Sequence, residues 1–130
     1  MAHRIEWDNK EKTVVLQAYE PGATKDDLYE LAKKSAEMLN TVSHKVHLII
    51  DETNIHLMLN TTDVKFLESN VPPNQGVVVM IVPKGTQKYK EIVQAMSRPF
   101  APKAFGEPYF TVSIESARQL LKEQFNVEYP

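Results

Sequence analysis

Two adjacent carboxylates, Asp51 and Glu52, directly follow the predominantly apolar run 47–50, which reads as a buried strand. In open α/β sheets, ligands gather beyond the carboxyl ends of the strands, so this junction is the predicted binding site. Asp51 has two interpretations: it binds a ligand or partner, or it accepts hydrogen bonds from neighbouring loop amides and holds the turn. The other candidate binding residues of this junction are short polar residues of the following loop and helix start, namely Asn54, Asn60, Thr61 and Thr62.

A second candidate is Lys84, which with Gly85 and Thr86 follows an apolar run and opens a predicted helix. Helix N-termini bind phosphate groups, but the glycine-rich cradle of a phosphate-binding loop is missing here. This is nevertheless the one locally basic part of the sequence, with a single acid, Glu91, among the cations Lys84, Lys88, Lys90, Arg98 and Lys103. It is interpreted either as solvated surface or as a shallow site for an anionic head group or an acidic partner.

Three aromatic residues occur in or beside the proline-containing segment 98–108; these are Phe100, Phe105 and Tyr109. Aromatic side chains in such a loop usually plug the edge of a core. The alternative is that they form an apolar gate to a ligand cavity.

Other chemistries lack the residues that they need. The sequence contains no cysteine, which excludes disulfides, thiolate metal sites and a cysteine nucleophile. The four histidines match no compact metal-ligand spacing, and no G-x-S-x-G motif presents a nucleophilic serine. We therefore predict no enzymatic activity, no metal and no cofactor. The formal net charge of −2 also argues against general nucleic-acid binding.

The apolar runs of the chain are short. The longest of them, Val77–Val82, is far below the ~20 residues of a membrane-spanning helix. The N-terminal segment has no apolar region of the kind found in secretion signals. These patterns predict a cytoplasmic protein with no membrane span.

Alternating strand and helix patterns position the candidate residues. His3–Trp7 and Thr13–Tyr19 predict an N-terminal β-hairpin. Capping residues then predict helix starts at Thr24, Asn60 and Ser113, and a further helix begins at Thr86. Each helix carries an apolar stripe expected to face a core; in the third helix the stripe is Tyr89, Ile92, Val93 and Met96.

The remaining strands complete a predicted α/β fold. The run Gly76–Val82 is apolar throughout and predicts a strand covered on both faces, whereas Tyr109–Val112 predicts a last strand. The order is two strands followed by alternating helices and strands, which implies right-handed parallel crossovers. We expect a single domain over residues 1–130: a β-α superhelix with a mostly parallel five-stranded sheet, an edge hairpin and four helices.

With these elements placed, the chain resembles the STAS domain, the fold of anti-sigma-factor antagonists, and in particular the SpoIIAA-like proteins. The resemblance includes LIIDETNIHLMLNTTDV at residues 48–64, in which Asp51, Thr53, Ile55 and Met58 keep the family's residue types. VVVMIVPKGTQKYKEIVQAM is similar to the family's next strand, its terminal proline and the following helix. TVSIESARQLL is similar to the family's last helix start.

The resemblance implies a SpoIIAA-like superhelix. We expect a non-catalytic, STAS-like module that binds a protein partner or a small ligand, as a monomer or homodimer. At the family's phosphoacceptor serine this chain has Asn60, which cannot accept a phosphoryl group, although Thr61 and Thr62 follow it. The alternative function is a small carrier of an apolar or anionic metabolite or lipid, as in structurally related lipid-binding proteins. A hydrolase-type enzyme is the third.

Overall fold

The computed structural model of the chain describes residues 2–106 and 108–129. In this part it has the predicted order of five strands and four helices. These elements are β1 (His3–Trp7), β2 (Val14–Tyr19), α1 (Lys25–Leu39), β3 (Val46–Asp51), α2 (Thr61–Ser69), β4 (Gln75–Ile81), α3 (Gln87–Ser97), β5 (Tyr109–Thr111) and α4 (Ile114–Phe125).

The strands form one mixed sheet in the order β1-β2-β3-β4-β5. The edge pair β1–β2 is the predicted hairpin and is antiparallel, whereas the β2–β3, β3–β4 and β4–β5 pairs are parallel. The turn of the hairpin is held by Asn9, whose side-chain oxygen Oδ1 accepts bonds from the backbone amides of Thr13 and Val14. Parallel neighbours require a crossover, and each of α1, α2 and α3 supplies one.

Local capping chemistry sets the start of three helices. Thr24 and Asn60 each form a reciprocal capping box, with Asp27 and Asp63 three residues later. The hydroxyl of Ser113 accepts a bond from the third amide of α4. These three predicted starts are confirmed. Helix α3 also begins after Thr86, as predicted, but the Thr86 side chain donates to Pro83 and does not cap the helix.

We call the sheet surface against α4 the closed face. Its core contains Val14, Ile49, Val79 and Ile81 from the strands, packed against α4 through Ala117 and Leu121. All six side chains are almost completely buried. The predicted inward stripe of α4 is therefore confirmed.

We call the opposite sheet surface the open face. Helices α1 and α2 pack there through Leu28, Leu31, Leu39 and Leu67. Helix α3 has no fully buried residue, and its predicted core stripe of Tyr89, Ile92, Val93 and Met96 is between 38% and 71% exposed. The prediction that this stripe packs into the core is wrong, because α3 stands away from the sheet and leaves a space beneath it.

The structure also corrects the prediction for β4. The apolar run was expected to be covered on both faces, yet Gln75–Val78 is only half-buried and burial is complete only from Val79 onward. The strand buried at every position is β2. Within the described residues, no helix is long and apolar enough to cross a membrane.

Candidate functional site

The carboxylate of Asp51 holds the turn that follows β3. Its Oδ1 accepts bonds from the amide and the hydroxyl of Thr53, at 2.9 and 2.5 Å. Asp51 alternates with Ile50 along β3 and so lies on the closed face, where it lines a polar depression of about 360 Å³ with Arg4 and Arg118. These hydrogen bonds are the ones expected if Asp51 holds the turn.

The group Asn60–Thr62 lies at the start of α2, on the open side of the sheet. The Asn60 side chain accepts a bond from the amide of Asp63 at 2.9 Å, and Thr61 and Thr62 are exposed in the first turn. Across residues 2–106 and 108–129, no hydrogen bond joins this group to Asp51. The structure therefore places the two halves of the predicted site on different faces.

The other two polar candidates are solvent-exposed. Asn54 lies in the loop after β3, and Lys84 lies in the turn between β4 and α3. The next residue, Gly85, has a φ of +92°, a conformation that favours glycine. Neither Asn54 nor Lys84 forms a side-chain hydrogen bond or ion pair with the remaining predicted site residues in the described structure.

The three aromatic residues of the predicted gate lie in three different environments. Phe105 is buried with Val64 and Ala101, whereas Phe100 is 68% exposed. Tyr109 packs edge-on against Phe125, 5.6 Å away between ring centroids, on the closed face. The structure does not bring these rings together as one gate.

The space beneath α3 is a concave feature of the described structure, and we call it the α3 cavity. It encloses about 460 Å³ between the open face of the sheet, α1, the loop 52–59, the end of α2 and α3. Its floor is formed by Leu48 and Ile50 of β3 and by Val78 and Met80 of β4. The α3 side is formed by Tyr89, Val93 and Met96, so most of the surface around the space is apolar.

A few polar side chains enter this apolar space from the sheet and from α1. Gln17 of β2 and Ser35 of α1 are 7% and 4% exposed, and both line the cavity. The Ser35 hydroxyl has no hydrogen-bond partner within the described protein. Tyr19 lies at the same wall, and burial, together with the nearby carboxylates Glu52 and Asp27, raises the pKa of its phenol, so it stays protonated.

An ion pair lies in the lining of the α3 cavity. Lys90 of α3 donates to Glu52, just after β3, at 3.0 Å, and both side chains are largely buried. Nearby, the rings of His56 and Tyr89 lie 5.3 Å apart between centroids. These contacts join α3 to the loop 52–59 above the sheet. The positive charge of Lys90 is therefore balanced by the carboxylate of Glu52.

A second polar cluster fixes the wall formed by α1 and α2. Asp63 accepts bonds from the Tyr29 hydroxyl at 2.5 Å and the Asn60 amide at 2.9 Å, and its other contact is the Lys25 ammonium at 2.7 Å. Burial alone would raise the pKa of Asp63, but these donors lower it to about 2. The carboxylate is therefore ionised at any ordinary pH, and the two helices are held together beside the cavity.

Sequence reasoning missed the α3 cavity and its polar lining. In the sequence, Gln17 falls inside the predicted strand Thr13–Tyr19, and Ser35 occupies a position of the apolar stripe of the first helix. Both positions carried a signal, because each places a hydrogen-bonding side chain where the pattern demands an apolar one. Among the described residues, no cluster of three or more His, Cys, Asp or Glu side chains could hold a metal ion.

Protein-family models, curated proteins and solved structures give no significant match to this chain. The geometry of the site is therefore the basis of the functional proposal.

Proposed function

We propose that the chain is a non-catalytic binding module of the STAS-like fold and that it acts as a small carrier, with its ligand in the α3 cavity. The observation that carries the proposal is a mainly apolar space of about 460 Å³. Ligand sites are typically ~300–1,000 Å³ and apolar with a few polar groups. The fold family is supported by the sequence resemblance and by the order of the elements.

The exposure of α3 favours a ligand over an empty groove. Tyr89, Val93 and Met96 are directed along the cavity, yet they remain 50%, 38% and 71% exposed. Removing apolar surface from water stabilises a complex by about 25 cal/mol per Å². A bound hydrocarbon would cover these side chains and the half-buried floor residues Ile50 and Val78 together, which the protein alone does not do.

The ligand is expected to enter beside the exposed side chains of α3 and the loop 52–59. Met58 is 77% exposed and lines the same cavity as Met96. Methionine side chains are unbranched and polarisable, so they adapt to apolar surfaces of different shapes. This entrance replaces the proposed gate of Phe100, Phe105 and Tyr109, of which only Phe105 lines the cavity.

A protein-interaction module is the second candidate function. The observation in its favour is the exposure of Ile92 and Phe100, at 55% and 68%, neither of which lines the α3 cavity. Exposed apolar side chains that are close together are typical of protein interfaces. A partner protein would then cover the outer surface of α3 and leave the cavity unused.

Binding of an apolar fluorescent reporter, N-phenyl-1-naphthylamine, tests the carrier proposal. Val78 is half-buried in the cavity floor, so Val78→Trp should fill the space and weaken reporter binding at least tenfold while the protein stays folded. The matched control is Val112→Trp, because Val112 is 56% exposed and lies outside the cavity. Equal binding by folded Val78→Trp, or no binding by the unmodified protein, would overturn the carrier proposal.

A further inference from the structure

Gln17 and Ser35 are uncharged polar side chains that line the α3 cavity and are more than nine-tenths buried. Gln17 is level with Ile50 in the β2–β3 register, and Ile50 is level with Met80 in the β3–β4 register. Ser35 of α1 lines the same space. A glutamine amide and a serine hydroxyl each donate and accept hydrogen bonds, so together they offer both kinds of contact to one ligand group.

These side chains are not satisfied by the protein. The Ser35 hydroxyl is buried and has no partner, and the Gln17 amide forms no side-chain hydrogen bond with the other described residues. Buried polar groups are almost always paired, because an unpaired one loses its contact with water and gains nothing in return. The partner of Ser35 is therefore expected to come from whatever occupies the cavity.

The charges around the cavity exclude a charged group at this inner position. Lys90 is the only cation in the described lining, and it is already paired with Glu52 at 3.0 Å. A carboxylate beside Ser35 and Gln17 would have neutral donors only, in a largely apolar space where an uncompensated charge is strongly disfavoured. A hydroxyl or a primary amide meets no such penalty.

We infer that the ligand is a hydrocarbon with an uncharged hydrogen-bonding end, a hydroxyl or a primary amide, which is bound by Ser35 and Gln17. This inference rests on the proposed carrier function. The hydrocarbon body lies on Leu48, Ile50, Val78 and Met80, and the polar end takes up the free hydrogen-bonding capacity of the wall.

Three probes of equal chain length separate the inference from the carrier proposal: 1-decanol, decanamide and decanoate, measured by calorimetry at pH 8, where decanoate is ionised. We expect decanol and decanamide to bind at least tenfold more tightly than decanoate. Decanoate binding as tightly as decanol would overturn the inference and leave the carrier proposal intact. If none of the three binds, the carrier proposal fails and the inference fails with it.

Variants then test the two named side chains. Ser35→Ala and Gln17→Leu should each weaken decanol binding by about threefold to tenfold, as expected for the loss of one neutral hydrogen bond, and leave decanoate binding unchanged. Ser69→Ala is the matched control, because the Ser69 hydroxyl is exposed on α2 and bonds to carbonyls of its own helix.

Ser35→Ala should remain folded, since alanine is the residue that a helix favours most and the hydroxyl has no partner in the protein. If Ser35→Ala and any folded Gln17→Leu bind decanol as the unmodified protein does, the polar wall is satisfied by water only. That result would overturn the assignment of these residues.

Discussion

On the closed face, α4 covers Val79 and Ile81 completely, whereas on the open face α3 leaves their neighbours Val78 and Met80 beneath a cavity. The strand is the same and the residue types are alike. The two helices also resemble each other, since both are amphipathic and of similar length. What differs is how each helix is anchored.

Helix α4 is fixed at both ends and along its length. Ser113 caps its start, and Asn126 ends it in the left-handed conformation at φ 55°. Arg118 forms two bonds with Asp8 in the hairpin turn, at 2.7 and 3.0 Å, and the Tyr129 hydroxyl donates to the same carboxylate at 2.7 Å. Helix α3 lacks a side-chain cap. Its polar contacts with other elements include Lys90 with Glu52, the Gln94 amide with the Met80 sulfur of β4, and the Arg98 guanidinium with the Gly106 carbonyl.

The difference between the faces teaches that an apolar stripe predicts which side of a helix is buried, but not against what. In α4 the stripe is covered by the sheet. In α3 the stripe stays largely exposed, although the Gln94 amide donates to the Met80 sulfur in the floor at 3.4 Å. The apolar stripe of α3 is best explained if a ligand occupies the α3 cavity and packs between this helix and the open face of the sheet.

The largest effect is expected from a charge placed on either face of β4. Val79→Asp should leave an unpaired charge in the closed core and destabilise the protein by more than about 4 kcal/mol, a large part of its ~5–15 kcal/mol of stability. Val78→Asp, one residue away and half-buried, should cost no more than about 2 kcal/mol. Urea unfolding measures both, and equal losses would contradict the difference between the faces.

A smaller contrast is expected from truncating the two helices. Leu121→Ala should lower the free energy of unfolding by about 2–5 kcal/mol, because Leu121 is completely buried against the sheet. Met96→Ala should change it by less than about 0.5 kcal/mol, because Met96 is 71% exposed. Reporter binding should show the reverse order, with the larger loss in Met96→Ala. A destabilisation by Met96→Ala as large as that of Leu121→Ala would mean that α3 packs like α4.

Acidification should destabilise the protein by protonating His47, which lies on the closed face. Its Nδ1 accepts a bond from the Val77 amide at 3.0 Å, and burial, together with the charge of Lys45, lowers the pKa of this histidine. The unfolded chain therefore binds the proton first. Stability is fully present above the ordinary pKa of about 6.5 and is lost as the pH falls through the lower folded value.

Urea midpoints at pH 8 and pH 5 check this expectation. His47→Gln should reduce the loss of stability between the two values, since it removes the group that titrates. His56→Gln is the control, because His56 is exposed at the edge of the α3 cavity. An undiminished loss in His47→Gln would show that another group is responsible.

The smallest effect is expected at two of the residues that the sequence indicated. Thr61→Glu and Lys84→Glu change exposed positions outside the α3 cavity, so together they should alter stability by less than about 0.5 kcal/mol and reporter affinity by less than twofold. Loss of a captured partner protein in this double variant, with reporter binding retained, would instead favour the protein-interaction module.

The parts of the fold that depend on short-range chemistry were predictable. The capping boxes at Thr24 and Asn60 use residues three positions apart, and the hairpin pairs adjacent segments. The order of strands and helices follows from the change of apolar period along the chain. Each of these features depends on residues that are close together in the sequence.

The α3 cavity could not be predicted in this way, because it depends on how far α3 lies from β4. That distance is set by contacts between residues far apart in sequence, such as Lys90 with Glu52. Of the cavity residues, only Gln17 and Ser35 break an apolar pattern, and a single polar residue in a strand or stripe does not indicate a cavity. The candidate site in the sequence was built on Asp51, whose carboxylate is occupied in holding its own turn.

The most direct test of the account is a titration with 1-decanol followed by NMR of ¹³C-methyl-labelled methionines. Met58, Met80 and Met96 line the α3 cavity, whereas Met38 of α1 packs against core residues such as Val15 and Val46, does not line the cavity, and serves as an internal control. The account predicts saturable shifts of the Met58, Met80 and Met96 methyl signals with Met38 unchanged. An unchanged Met80 signal at saturating decanol would contradict it.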